Sequence, residues 1–323
     1  MPLIVLAATR NGSTSIEHAY CVDDVARALI VTAREIAPSA LVSRLKGGYL
    51  SFVLAAQQSD GLMHNRRRID GSWSDTANSD DHWGRGLWAL GTVAASADAA
   101  AAKAALDGAA VAMRARSRAP RAMAYAAIGA DQVLRAVPGD RESLRLLDDV
   151  RRILPRRSLD EYWPWPEGRL TYANSVLPEA MIVVGSRLDD DALLDEGLLL
   201  LRWLVKQQTA GDHLSVVPSV GWSRGDRRPG YAQQPIEVSA LAEACTAAHA
   251  ATGDDRWLSV IEQCLAWFLG ANDGGVPMCD PETGGGYDGL EREGSSRNQG
   301  AESTLAWLAT LQVAMMPQAA TAR

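Results

Sequence analysis

The sequence predicts an all-α protein of paired helices, arranged as a solenoid or a closed ring. Three observations predict it. Hydrophobic residues fill 47% of the 323 positions, with abundant alanine and leucine and only two phenylalanines, a composition suited to helices packed closely on helices. Apolar residues recur at helical spacing in eleven separate segments. The links between those segments alternate, mostly short after odd helices and long after even ones, so consecutive helices pair as antiparallel hairpins that repeat along the chain. A chain of this length can bury a sizeable core, and we expect one domain spanning residues 1–323.

Each element follows from local chemistry. Helix one, Asp23 to Ala37, opens on aspartates that suit the positive end of the helix dipole, and Pro38 ends it. Helix two runs from about Leu41 to Gln58. Turn-forming residues fill Ser59 to Asp80, and helix three begins at DDHWGRGLWALGTVAA. Helix four, about Asp98 to Arg116, is alanine-rich; helix five, Arg121 to Val137, passes through PGD to helix six, Arg141 to Leu154. In the loop Pro155 to Thr171, Trp163 and Trp165 each precede a proline, which favours extended backbone. Leu177, Met181, Val184 and Leu188 then recur at helical spacing, so helix seven starts near Asn174. Helix eight follows the run Asp189 to Asp191 and ends near Gln208. After the loop Thr209 to Gln234 come helix nine (Pro235 to Ala251) and helix ten (Arg256 to Leu269). The loop Ala271 to Asn298 leads to helix eleven, Gln299 to about Met315.

Helices one, three, seven, nine and eleven are apolar on more than one side, as inner helices sheathed by others would be, and the even helices are more amphipathic. With odd helices inside, the long loops and the amino-terminal ends of the inner helices share one rim. That rim collects the unusual residues. The stretch EYWPWPEGRLTYANSVLPEA, Glu161 to Ala180, supplies one sector of it, and Trp73, Trp83, Trp163, Trp165 and Trp222 lie in its loops or helix starts.

Aromatic faces that stack on sugar rings, beside carboxylates and amides that hold hydroxyls, suit carbohydrate recognition. Glycosidic hydrolysis needs two carboxyl groups. The candidates are Asp81, which stands among His82, Trp83 and Arg85, then Asp24, Glu237 and Glu302. Expected to hold the ligand are His82, Trp83, Arg85, Trp163, Trp165, Glu167, Tyr172, Asn174, Glu179, Trp222, Gln234, Asp288, Asn298 and Gln299. Asp23 and Asp80 read as helix caps. Trp88, Trp203, Trp257, Trp267 and Trp307 read as core.

A net charge of −7 argues against a nucleic-acid or anionic-membrane partner. Cys21, Cys245, Cys264 and Cys279 lack metal-ligand spacing and read as reduced thiols; no metal or cofactor is expected, the five histidines being scattered, with His18 and His82 nearest the rim. The opening MPLIVLAATR is too short for a membrane span and lacks the basic segment of a signal peptide, so a cytoplasmic location is expected. Gly284, Gly285 and Gly286 lack the context of a nucleotide loop and read as a cleft wall.

HAYCVDDVARAL, SDDHWGRGLWALG, YWPWPEGRLTYANSVLPEA and NQGAESTLAWL, in that order, resemble the six-hairpin glycosidase superfamily. They are most similar to a bacterial branch found beside or fused to glycosyltransferases. The resemblance implies an (α/α)6 toroid of about eleven helices with the last outer helix missing. The residues before Asp23, a glycosyltransferase partner or a second copy would cover that open edge. It implies a carbohydrate-active enzyme, with a glycoside hydrolase acting on an oligosaccharide as the leading expectation. A sugar epimerase or isomerase, and a non-catalytic glycan-binding partner of a glycosyltransferase, are the alternatives.

Overall fold

The computed structural model describes residues 20–321, with side chains for 20–315, and these contain eleven α-helices and short two-residue strands. His18 and MPLIVLAATR lie outside the described residues. The chain forms two compact units, one of residues up to 154 with 183–190, the other of residues 155–182 with 191–321.

The first unit holds α1 (Val22–Ala33), α2 (Ala40–Ala55), α3 (Asp81–Ala94), α4 (Ala99–Ala112), α5 (Pro120–Ala136) and α6 (Arg141–Ile153). Consecutive helices pair as hairpins, and α3 packs between α1 and α5. Burial explains the division of labour. Every residue from Arg121 to Asp131 of α5 is buried, as in a helix surrounded by others, whereas α6 buries only the stripe Ser143, Leu146, Leu147 and Val150. α1 stops at Ala33, earlier than Pro38 suggests, because the residues after it carry no buried face; Ile36 is 85% exposed.

Small residues set the approach of α3 to α5. A Cβ added at Gly84 would lie 2.2 Å from the Ala122 carbonyl oxygen, and one at Gly91 would lie 2.2 Å from that of Gly129. The offset is constant, 122 − 84 = 38 and 129 − 91 = 38, so the two helices run parallel. The capping side chains differ from those the sequence suggests. Ser39, Asp98 and Asp140 accept from the backbone N–H groups of Val42, Ala101 and Ser143. The Asp80 side chain makes no capping bond to α3, and Cys21, not Asp23, occupies the cap position of α1.

The second unit holds α8 (Asp191–Gln207), α9 (Pro235–Thr252), α10 (Arg256–Phe268) and α11 (Ala301–Thr321); α7 (Val176–Arg187) contributes to both units. Here α9 packs against α8, α10 and α11 around Leu241, Cys245, Ile261, Cys264, Trp267 and Phe268. Its long loops are tied to each other: Arg169–Leu170 pairs with Trp222–Ser223, and Gln233 bridges to Leu290. The buried Gln233 amide accepts from the Trp267 indole at 3.0 Å and donates to Asp273 at 2.5 Å, fixing that junction. All four cysteines are free thiols. Among the described residues no helix is long and apolar enough to cross a membrane.

The glycine contacts make opposite forecasts for two helix-interior positions. Gly91→Ala is expected to cost about 2 kcal/mol by overpacking, while Gly47→Ala, with nothing within 4 Å, is expected to gain about 0.5–1 kcal/mol. Urea unfolding of both variants checks this; a Gly91→Ala midpoint equal to the parent's would contradict the close approach.

Candidate functional site

In the first unit the polar residues gather around one guanidinium. Arg85 lies one helical turn after Asp81, and the i,i+4 spacing puts both on one face of α3, 3.5 Å apart. The same guanidinium donates to Asp23 of α1 at 2.5 Å and to the Tyr125 hydroxyl of α5 at 3.1 Å, with its carbon 4.4 Å from the Tyr125 ring centroid. Three neighbouring helices thus meet on one cation whose side chain is 6% exposed. Asp23 also accepts from Asn65 Nδ2 at 3.0 Å. Asp24 uses both oxygens, accepting from Arg27 at 2.9 Å and from the Cys21 thiol at 3.1 Å. Asp23, Asp24 and Asp81 keep side-chain exposures of 20%, 21% and 19%.

Burial alone would raise the Asp23 carboxyl, but Arg85 and Arg27 outweigh it and hold the group below its ordinary value of 3.8. Burial would likewise lower Arg85, yet the Tyr125 oxygen and the carboxylates of Asp23 and Asp81 push it up. Burial raises Tyr125, so its phenol stays protonated at neutral pH. Burial, then the negative charges of Asp24 and Asp23, pushes the Cys21 thiol up to about 12, so it remains a donor to Asp24. Sequence reasoning missed Asp23, read as a cap, and Tyr125, hidden in an alanine-rich helix.

Two expected ligand contacts of this unit are packed away. Trp83 is 0% exposed and donates its indole N–H to the Ala112 carbonyl, which makes it core. His82 is 3% exposed, with Nε2 2.8 Å from the Met63 carbonyl oxygen.

In the second unit Glu237 is the buried organiser. Its carboxylate accepts from the backbone N–H of Ala173, and from Asn174 Nδ2 at 2.8 Å, while Asn174 Oδ1 accepts from Thr171 N–H at 2.9 Å. These bonds hold Ala173 at φ 44°, a left-handed conformation that a residue with a Cβ seldom adopts. At 2% exposure Glu237 serves the loop it clamps. Trp163 and Trp165, expected to offer open faces, are 8% and 1% exposed. Trp163 meets Trp203 edge-on at 5.2 Å and Trp165 stacks on Trp203 at 6.1 Å, because α8 supplies a third ring that covers them. Glu167 accepts from the Trp165 indole at 3.3 Å, and Trp222, half-buried, donates to the Asp226 carbonyl.

The remaining candidates lie at the start of α11 or at the starts of α7 and α9. Asp288 accepts from Gly300 N–H at 2.6 Å and from the Asn298 amide, and Gln299 donates to Asp280 at 2.8 Å. Glu302 lies in the first turn of α11, half-buried. Gln234 holds the cap position of α9 without a side-chain capping bond. Glu179 is 5% exposed, whereas Tyr172 is 44% exposed. Among the described residues no group of three or more His, Cys, Asp and Glu could hold a metal ion.

No family model and no curated protein matches the chain. Solved structures do. The chain is similar to a sugar epimerase from a ruminal bacterium, with a TM-score of 0.70 at 11% identity, covering 97% of this chain and 92% of that one. It is similar to the cellobiose 2-epimerase of Spirochaeta thermophila DSM 6192, with a TM-score of 0.67 at 13% identity, covering 99% and 91%. It is also similar to a GH76 α-mannanase of Bacteroides thetaiotaomicron, with a TM-score of 0.67 at 8% identity, covering 95% and 89%. This likeness shows the fold, an all-α (α/α)6 toroid.

The lowered Asp23 pKa has a pH consequence. The stabilisation is fully present above the unfolded value of about 3.9 and is lost as pH falls through the folded value. Stability measured from pH ~5 downward is expected to fall less steeply in Asp23→Asn than in the parent. Equal slopes would contradict the Asp23–Arg85 assignment.

Proposed function

We propose that the chain is a carbohydrate-active enzyme and, more finely, a glycoside hydrolase whose carboxylates are Asp23 and Asp81, which meet on Arg85, and Asp24, next to Asp23 in α1. The observation that carries this reading is the gathering of Asp23, Asp24 and Asp81, each part-exposed, at the first turns of α1 and α3. Hydrolysis of a glycosidic bond needs one protonated and one ionised carboxyl group and no cofactor. Asp23, held ionised by Arg85, is a poor proton donor. It suits a fixed negative charge that stabilises an oxocarbenium-like transition state. Asp81 and Asp24 are then the acid and base. Glu237, clamped on its own loop, acts by positioning.

A second reading, a sugar epimerase or isomerase, draws support from the epimerases among the similar structures. It needs a base beside a carbonyl-activated carbon. The buried His82, engaged with Met63, favours the carboxylates for proton transfer in either reading.

Incubation with cellobiose, an α-linked mannobiose and an arabinose disaccharide, followed by proton NMR, separates the two. Hydrolysis releases two monosaccharides, whereas epimerisation gives an isomer of the same mass. Asp81→Asn and Asp24→Asn are each expected to lower kcat by roughly 10²–10⁴ with the helical circular dichroism unchanged. Activity that survives both substitutions would remove these assignments.

A further inference from the structure

The second unit carries an aromatic residue whose backbone is anchored and whose ring is left in solvent. Tyr162 is 78% exposed, between Leu159 at 90% and the nearby loop carrying Val220 at 74%. Its backbone is fixed, since Asp160 Oδ1 accepts from the Tyr162 N–H at 2.9 Å and from the Trp163 N–H at 3.3 Å. The next residue, Trp163, meets the rings of Trp203 and Trp222, and the Arg169–Leu170 strand pairs with Trp222–Ser223, so both loops are braced. Over one face of the ring, 5.6 Å from the Tyr162 centroid, lies the Arg224 guanidinium, which also pairs with Asp160.

Resting on the carbohydrate reading, we propose that the face of Tyr162 opposite Arg224, with the Arg224–Asp160 pair nearby, is a binding subsite for a neutral oligosaccharide. A pyranose has an apolar C–H face and a hydroxyl edge. The tyrosine ring matches the first by stacking, and the guanidinium and carboxylate match the second with paired hydrogen bonds. The ion pair carries no net charge and so selects no ion.

The test is isothermal titration calorimetry of the whole chain with cellopentaose, an α-linked mannopentaose and arabinopentaose. Tyr162→Ala is expected to weaken binding by roughly 3–10-fold, and Tyr162→Trp to restore it. Turnover of the disaccharides by the aspartates should be unchanged in both. Equal affinity of parent and Tyr162→Ala would overturn this subsite while leaving the hydrolase reading in place. A change of sedimentation coefficient on Tyr162→Ala would show the face to be a contact between copies, which also overturns it. Failure of every pentasaccharide to bind the parent, together with no turnover of any disaccharide, would remove both readings.

Discussion

The first unit depends on a buried cation with three acceptors. Arg85 cannot shed its charge, so wherever α1, α3 and α5 close on one another they must bring it anions and dipoles. Asp23, Asp81 and Tyr125 do this from three helices. The Gly84 and Gly91 contacts make the arrangement reachable, since only backbone without side chains brings α3 near enough to α5 for the Tyr125 hydroxyl to meet the guanidinium. A buried ion pair of this kind contributes little net stability, because desolvation offsets most of the attraction. Its effect is chemical: it fixes one carboxylate in the ionised state beside two others.

The second unit solves a different problem with a carboxylate. Glu237 satisfies backbone N–H groups that the left-handed Ala173 would otherwise leave unpaired, and so sets where α7 begins. Three tryptophans then brace the loop before it. Both units therefore place buried polar groups at helix starts, one organising side chains and the other organising backbone.

Most of the fold is legible in the sequence because helical periodicity and turn residues are local. All eleven helices fall where apolar spacing puts them, and the pairing follows from link length. The Asp81–Arg85 pair is legible for the same reason, being one turn apart. The Asp23–Arg85 bond is not, since it spans 62 positions and depends on how α1 meets α3. Asn174 and Glu237 are separated by 63 positions and were likewise named without their connection. Proline told that Trp163 and Trp165 sit in extended backbone, but not that Trp203 from α8 would cover their rings. Tyr162 escaped notice because exposure is a property of the packed loop, not of its composition.

The most direct measurement is a carbon-13 NMR titration of the Asp23 carboxyl in the parent and in Arg85→Met. The account predicts a midpoint below 3.8 in the parent, moving upward when the Arg85 guanidinium, the largest opposing charge, is removed. A parent midpoint at or above 3.8, or one indifferent to Arg85→Met, would contradict it.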